Sequence, residues 1–195
     1  DLKRAAVHFH RATELRPAPR VLVLLASIYA DIAKQEHASL DDVDQRAKNT
    51  LYCDETQQVL TEFFQACTAC LEQRRPDCNV CDLVGPQGDK ASVAARGTEL
   101  VRALKDKAKA ATEEALHTAG AEGARFKRKS EGLTDTAVAL GRCLSIIKIT
   151  SEPSGQLVLV NGVEMGLTPY EWSSFGQVAV IDVEDAQGRR QKRTA

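Results

Sequence analysis

Aromatic residues and net charge are both scarce in this chain. Phenylalanine, tyrosine and tryptophan make up 5% of its 195 residues, and alanine is plentiful in the middle third, which fits helices packed through small residues. The 26 lysines and arginines balance 27 aspartates and glutamates, so the net charge of −1 provides no overall attraction to nucleic acid or an anionic membrane. Nucleic acid is therefore not an expected partner.

Long apolar runs are missing as well. The longest apolar cluster extends from Val21 to Ile32, but Ser27 and Asp31 interrupt it, which predicts a buried helix rather than a membrane span. The chain also lacks a Gly-x-Ser-x-Gly motif, a Walker-type phosphate loop and a paired-carboxylate arrangement. We therefore expect a protein that does not span a membrane, needs no cofactor and is not an enzyme.

Methionine is almost absent too. The only one is Met165, and the chain begins at Asp1. We therefore expect a processed protein, or a trimmed piece of one, from which a signal peptide or lipid anchor has been removed. A length of 195 residues allows one or two domains with a real core.

The first 35 residues show a helical pattern of small and aromatic residues. Leu25-Ala26-x-x-Tyr29 resembles the first helix of a tetratricopeptide repeat, and a series just before it resembles the second helix of a preceding repeat. In that family small residues let the paired helices approach, and an aromatic ring fills the gap. The resemblance ends after residue 35, which implies the end of a helical array or a fragment of one. The preceding series consists of Ala5, Phe9, Ala12 and Pro17.

Two further helical segments follow. Residues 39–74 predict one or two helices with an apolar stripe, which Pro76 ends. Residues 90–118 predict another helical unit, which Gly120 and Gly123 break. The stripe of the first segment consists of Leu51, Val59, Leu60, Phe63, Phe64, Cys67 and Leu71.

The six cysteines form two close pairs and two outliers. Cys67-x-x-Cys70 and Cys78-x-x-Cys81 are separated by seven residues that include Pro76. Positions i and i+3 share a helix face, so the second pair can face the first if the chain reverses at the proline. Nested disulfides would then staple a helical hairpin, and a third would tie an early helix to the entry of the β region. The expected pairs are Cys67–Cys81, Cys70–Cys78 and Cys53–Cys143.

Other uses of these cysteines stay open from the residues alone. Cys67, Cys70, Cys78 and Cys81 could instead hold zinc as four thiolates, although the first pair lies in a helical stripe and no glycine follows either pair closely. A redox-active CxxC would need a βαβ context that is missing here. Reduced, buried core thiols are a further alternative. The even number of cysteines favours disulfides, which are typical of oxidising compartments.

Turn signals dominate the C-terminal quarter. A last helix is expected from Leu133 to about Leu144, and a first strand from Leu144 to Thr150. Beyond it, apolar residues flank Asn161-Gly162, a strong hairpin signal because both positions must accept φ > 0. The turn residues expected to shape this segment are Pro153, Gly155, Asn161, Gly162, Gly166, Thr168 and Pro169.

These turn residues carry a resemblance to a known family. The series Pro153-x-Gly155, an apolar run, Asn161-Gly162 and Gly166-x-Thr168-Pro169 resembles the PEGA domain, and the likeness continues to Gly188. Pro-Ser-Gly-Gln stands where the family has Pro-Glu-Gly-Ala, so Gln156 replaces its alanine. The resemblance implies a small β-sandwich-like module at an extracytoplasmic bacterial or archaeal surface. It implies no active site, because shape defines the family.

The remaining histidines and acidic residues have ordinary explanations. His8 and His10 diverge on a helix and cannot chelate together. His37 and His117 are isolated in the sequence. The Asp41-Asp42-x-Asp44 cluster lacks the glycine and glutamate of a calcium loop, so helix capping is expected there.

Two basic clusters and two aromatic residues also have structural explanations. Residues 125–129 are expected to be a solvated helix face, although they could touch phosphate or an acidic partner. Residues 189–193 are expected on an exposed late strand, where basic side chains discourage edge pairing. Trp172 and Phe175 are expected to cover the core of the β-sandwich.

The order of helices followed by strands predicts an α+β fold. We expect an antiparallel, tetratricopeptide-like helical region at residues 1–143 and a small all-β, PEGA-like sandwich at residues 144–195. The expected function is that of a non-enzymatic, periplasmic or cell-surface scaffold that binds a protein or a cell-envelope component. The alternatives are a cytoplasmic zinc-binding adaptor and an accessory domain of a larger enzyme.

Overall fold

The structure is a computed structural model, and its helices precede its strands. The described residues are 1–15, 17–37, 42–73, 78–84, 92–175 and 180–194. The helices in these ranges are α1 (Leu2–Leu15), α2 (Pro19–His37), α3 (Asp42–Glu72), a 3-10 helix (Cys81–Leu83), α4 (Val93–His117) and α5 (Gly120–Cys143). The strands are β1 (Leu144–Ile149), β2 (Leu157–Val160), β3 (Val163–Leu167), β4 (Tyr170–Phe175), β5 (Val180–Glu184) and β6 (Arg190–Thr194).

Helix α2 lies at the centre of the helical region. It packs against α1, α3 and α5, and Leu22, Ala26 and Ala30 are fully buried. The alanines at positions 26 and 30 let neighbouring helix backbones come close, whereas larger side chains would hold them apart. The apolar cluster from Val21 to Ile32 is therefore a buried helix, as its composition predicts.

Helix α3 supplies the large side chains of the same core. Phe63 and Phe64 are almost fully buried, and their ring centroids lie 5.2 Å apart at an interplanar angle of 57°, a favourable tilted arrangement. The stripe expected within residues 39–74 thus belongs to one continuous helix. The cap expected at Asp41 and the terminating Pro76 lie outside the described residues.

Helices α4 and α5 form a long antiparallel hairpin held by small residues. Ala108 and Ala111 on α4 are buried, and Ser130 on α5 donates a hydrogen bond to the carbonyl oxygen of Ala108 at 2.9 Å. Thr112 and Ser130 hydroxyls lie 2.6 Å apart. Short side chains let the two helices approach, and the hydroxyls satisfy one another inside the contact.

The expected start of the last helix at Leu133 is wrong, because α5 begins at Gly120 and includes Gly123. Glycine usually weakens a helix, but here a Cβ on Gly123 would lie 2.0 Å from the carbonyl oxygen of Thr118. Gly123 is therefore required by the close turn between α4 and α5 and does not break the helix. The end of α4 at His117 agrees with the expected range of 90–118.

Two antiparallel sheets make up the C-terminal module. Strands β1 and β4 form a two-stranded ribbon, and the second sheet has the order β3-β2-β5-β6. A small core lies between them, made of side chains from both sheets. It consists of Ile147, Ile149, Val158, Val160, Met165, Tyr170, Trp172, Ile181 and Val183. These sheets follow the helices in the chain, so the expected α+β order is confirmed.

The ribbon faces the four-stranded sheet on one side and the helices on the other. Side chains alternate along a strand, so Tyr170 and Trp172 of β4 point into the small β core, whereas Ser173 and Phe175 point the opposite way. Phe175 is only 2% exposed and belongs to the core of the helical region. The expectation that both Trp172 and Phe175 cover the sandwich is therefore correct only for Trp172.

The change from helix to strand occurs without a linker. Helix α5 ends at Cys143 and β1 begins at Leu144, while the division of the chain into two domains at this point stays a prediction. The two parts nevertheless share buried side chains, because Leu144 and Phe175 pack in the helical core. In the described ranges, none of the helices has the length and apolar character that crossing a membrane requires.

Candidate functional site

Two nested disulfides bond the C-terminal end of α3 to residues 78–81, at the start of the 3-10 helix. Cys67 bonds to Cys81 and Cys70 bonds to Cys78, with Cα–Cα distances of 5.2 and 5.8 Å. Cys67 and Cys70 are one helical turn apart and share a face, and all four side chains are buried. The pairing is the nested one expected from the spacing.

This pairing bears on the other uses considered for the four sulfurs. A disulfide sulfur has no thiolate charge, so these cysteines do not form the four-thiolate zinc site in this structure. They are also not reduced core thiols. Redox exchange requires that a thiolate reach the disulfide, whereas exposures of 2%, 3%, 6% and 0% for Cys67, Cys70, Cys78 and Cys81 leave little access.

A third disulfide closes the junction between the helices and the β module. Cys53 of α3 bonds to Cys143, the last residue of α5, across a sequence separation of 90 residues. The neighbouring Arg142 forms an ion pair with Asp31 of α2. The last two residues of α5, just before β1, are therefore each bonded to a different helix.

Packing at the same junction joins α4 to β4. A Cβ on Gly97 would lie 3.2 Å from Cζ of Phe175 and 3.5 Å from both δ-methyl groups of Leu144. The Thr98 hydroxyl donates a hydrogen bond to the Ala94 carbonyl oxygen at 3.0 Å and lies in hydrogen-bond contact with Ser173 Oγ at 3.2 Å. The β module therefore packs on the helices through apolar and polar contacts, next to the disulfide at the end of α5.

Thr168 is the centre of the turn cluster in the β module. Its buried hydroxyl accepts a hydrogen bond from the backbone N–H of Gln156 at 3.1 Å and lies in hydrogen-bond contact with Ser151 Oγ. Its backbone N–H donates to the Gln156 carbonyl oxygen at 2.9 Å, and its carbonyl oxygen accepts from Gly155 at 2.8 Å. Ser151 also donates to the carbonyl oxygen of Pro153 at 2.7 Å.

This cluster brings together most of the turn residues expected from the sequence. The peptide bonds before Pro153 and Pro169 are both cis, and Gly155 has a φ of +84°. Gly166 has a φ of +155°, and a Cβ there would lie 3.2 Å from the ring of Tyr170. The expected turn residues thus form a compact cluster of hydrogen-bonded turns. This cluster contains no nucleophile with an adjacent base.

Asn161 and Gly162 form the hairpin turn between β2 and β3. Their φ angles are 52° and 80°, the positive values that a two-residue hairpin loop of this type demands, and Val160 pairs with Val163 across it. The Asn161 side chain also accepts a hydrogen bond from the backbone N–H of Val180 at 2.9 Å. The turn residue therefore links the hairpin to the start of β5.

The expected basic edge strand has its charges partly neutralised. Arg190 forms an ion pair with Glu184 at 2.5 Å, and Arg189 forms one with Asp185 at 2.7 Å. The backbone N–H of Arg189 is the main cause that lowers the pKa of Asp185 below its usual 3.8, with further contributions from the Arg189 side chain and the Gln187 N–H. This cluster is a stabilised hairpin rather than a free cationic surface.

The other candidate residues do not assemble into a site. His10 lies 3.8 Å from Glu14 of its own helix, and His8 is exposed on α1. His117 is exposed at the end of α4. The side chains of Asp41, Asp42, Asp44 and His37 lie outside the described residues. The basic residues 125, 127, 128 and 129 on α5 are all exposed, as expected for a solvated helix face.

Several contacts were not predicted from the sequence. The guanidinium of Arg96 stacks over the ring of Phe64 at 4.1 Å, while its buried Nε has no hydrogen-bond partner among the described residues. The sequence also did not predict the Arg142–Asp31 ion pair or the close contact of Phe175 with Gly97. Each joins residues far apart in sequence, and no local pattern marks such a pair; only the small residues on α4 hinted at a close neighbour there.

The helical surface carries an acidic and aromatic region at α2 and α3. Burial raises the pKa of Tyr29 above its usual 10.0, and Glu55, Tyr52 and Glu62 raise it further. A carboxylate disfavours the tyrosinate, so these residues lie close enough for electrostatic interaction. Tyr29 and Tyr52 are half-buried, and Glu62 is exposed.

Part of the β module matches a known family. Residues 144–180 match the family model of the PEGA domain, from the first residue of β1 to the first residue of β5. No curated protein and no solved structure matches the chain. The resemblance seen in the turn residues is thus confirmed for this segment, whereas the tetratricopeptide likeness of the first 35 residues stays a prediction.

The chain therefore combines a disulfide-bonded helical region with a C-terminal segment that matches the PEGA domain. The family match and the three disulfides are consistent with an extracytoplasmic, surface-associated module.

Proposed function

We propose that this protein is a non-enzymatic scaffold outside the cytoplasm, which binds a protein or cell-envelope partner through its helical surface. The PEGA-like module serves as a rigid spacer or as the attachment to the envelope. The observation that carries the proposal is the shared junction, where Cys53–Cys143, the Gly97–Phe175 contact and the Thr98–Ser173 hydrogen bond meet.

A scaffold of this kind works through shape. A partner bound to α2 or α3 is held at a fixed position relative to the β module, because β1 continues directly from α5 and Phe175 is buried among the helices. A flexible linker would let the two parts move independently. The disulfides support the helical packing in a core that contains few aromatic residues.

The compartment can be tested by the state of the cysteines in the native cells. Cells are quenched with acid, and the denatured protein is treated with a maleimide carrying a mass tag, with and without prior reduction. We expect no tag before reduction and all six cysteines tagged after it. Tagging of the unreduced protein would contradict a location in an oxidising compartment.

Partner binding is tested separately by photo-crosslinking in the same cells. A photoreactive amino acid replaces Glu62 on α3 or Leu167 on β3, which is 59% exposed. The matched control places it at Gly132, an exposed α5 position where nothing beyond the local helix lies within 4 Å of an added Cβ. We expect discrete adducts from Glu62 and Leu167 but not from Gly132. Equal labelling at all three positions, or none, would contradict a defined partner surface.

A further inference from the structure

Helix α1 has a free cationic face. It packs against α2, and the residues on its opposite side recur at intervals of four and three along the helix, which places them in one stripe. Leu15 at the end of this stripe is 90% exposed. Neither Arg4 nor Arg11 has its guanidinium in an ion pair with another described residue. The stripe consists of Arg4, His8, Arg11 and Leu15.

Helix α3 presents the opposite charge. Between Tyr52 and Glu72 it contains four carboxylates and no lysine, arginine or histidine. Glu55 and Glu62 lie on the side that borders Tyr29 of α2. Neither carboxylate forms an ion pair with another residue in the described ranges.

The two charged surfaces match in spacing. Arg4 and Arg11 are seven residues apart, as are Glu55 and Glu62, so each pair spans about 10.5 Å along its helix axis. The half-buried rings of Tyr29 and Tyr52 beside the carboxylates offer faces on which a guanidinium can stack. Both features favour arginine on the opposing surface.

We infer that the arginine face of α1 docks onto the Glu55–Glu62 face of α3 in a second copy of the same chain. Charge complementarity selects this occupant, because both halves of the contact are present on one molecule and each lacks an ionic partner in the part of the chain that the structure describes. The inference does not depend on the proposed scaffold function.

The contact is heterologous, since it joins different helices of the two copies. Such contacts propagate head-to-tail and form rings or open chains rather than closed twofold dimers. The attraction is between exposed charges, so it is weak and falls when salt shortens the Debye length. Association is therefore expected to be reversible and dependent on concentration.

The test is sedimentation equilibrium of the oxidised 195-residue chain at about 0.05 M and about 0.5 M salt. We expect the weight-average mass to rise with concentration at low salt and to return to the monomer value at high salt. The double variants Arg4→Glu with Arg11→Glu, and Glu55→Arg with Glu62→Arg, are each expected to lower the association constant about tenfold or more.

The decisive experiment is to mix the two double variants. An equimolar mixture of the two double variants restores opposite charges at both possible contacts, so association is expected to return. The matched control, Arg125→Glu with Arg128→Glu on α5, changes net charge equally and is expected to leave association as in the parent chain. Circular dichroism verifies that every variant is folded.

The inference is overturned by a parent chain that stays monomeric at low salt. It is also overturned if the α5 control lowers association as much as the α1 variant, because net charge would then be the cause. A mixture that stays monomeric would show equally that α1 and α3 are not the two sides of the contact.

Discussion

The ring of Phe175 fills the space where a side chain on Gly97 would be. A Cβ at position 97 would lie 3.2 Å from Cζ of the ring, so α4 and the end of β4 are in direct contact. The contact joins residues from the helical region and from the segment that matches the PEGA domain. It makes the two parts of the chain a single packing unit at their junction.

Replacement of Gly97 by leucine is expected to push α4 and the end of β4 apart. The larger side chain must displace Phe175 and Leu144, and overpacking of this kind costs about 1–3 kcal/mol of the free energy of unfolding. Gly132→Leu on α5 is the control, because nothing lies within 4 Å of a Cβ there and leucine is a better helix former by roughly 0.5–1 kcal/mol. In urea denaturation, the midpoint should be lower than that of the parent chain for Gly97→Leu but not for Gly132→Leu. Equal midpoints for the two variants would contradict the tight contact.

The shared core predicts that helices and strands unfold together. Trp172 is the only tryptophan and packs in the small β core, so its fluorescence reports on the β module, whereas far-ultraviolet circular dichroism reports mainly on the helices. Both signals are expected to follow one transition. Phe175→Ala leaves a cavity in the helical core, so the free energy of unfolding measured by either signal should fall by about 3–5 kcal/mol.

Leu167→Ala serves as the control for that experiment. Leu167 lies on the same module but is 59% exposed, so its loss should change the stability by less than about 0.5 kcal/mol. Two separate transitions in the parent chain, or a Phe175→Ala shift seen only in the tryptophan signal, would show that the β module folds independently.

The disulfides are expected to differ in their contribution to stability. Closing a longer loop restricts the unfolded chain more, so Cys53–Cys143, with its separation of 90 residues, should contribute about 4–5 kcal/mol on the chain-entropy model. Cys70–Cys78 spans 8 residues and lies inside the loop closed by Cys67–Cys81, so its removal should cost less. Paired cysteine-to-serine variants compared by urea denaturation give the order; the reverse order would contradict the model.

The sequence predicted those features that depend on nearby residues. Asn161 and Gly162 are recognisable because a two-residue hairpin needs positive φ at both positions. Cys67 and Cys70 are recognisable as one half of a staple because a helical turn brings i and i+3 to the same face. In both cases the geometry is decided within a few residues of the chain.

The features that were missed depend on contacts between distant residues. Phe175 could cover either side of the ribbon, and only the packing of α4 decides that it faces the helices. Gly123 was interpreted as a helix breaker, whereas the close approach of the Thr118 carbonyl makes glycine necessary inside α5. A glycine can therefore either end a helix or allow close packing inside one, and the tertiary neighbours decide between these two roles.

The turn cluster of the β module should depend on the Thr168 hydroxyl. Thr168→Val keeps the shape but removes the acceptor of the Gln156 N–H, while Ser151 retains its hydrogen bond to the Pro153 carbonyl oxygen. The unpaired Gln156 N–H is expected to cost about 1–3 kcal/mol of the free energy of unfolding. Thr134→Val is the control, because that exposed hydroxyl only bonds to the Ser130 carbonyl of its own helix. Thermal unfolding should separate the two variants, and equal stabilities would show that the Thr168 hydroxyl does not hold the turn.

The hydrogen bonds of the hairpin between β5 and β6 should lower the pKa of Asp185, which its titration can measure. The Arg189 backbone N–H is the largest cause of the lowered pKa, followed among the favourable causes by the Arg189 side chain and the Gln187 N–H. The folded pKa therefore lies below the usual 3.8, so the stabilisation is present above that value and is lost as the pH falls through the lowered pKa. Carboxyl NMR should give a midpoint below 3.8 for the parent chain. Arg189→Ala removes the guanidinium but retains the N–H, so most of the lowering should remain. A variant midpoint at the usual value would assign the effect to the ion pair instead of the backbone.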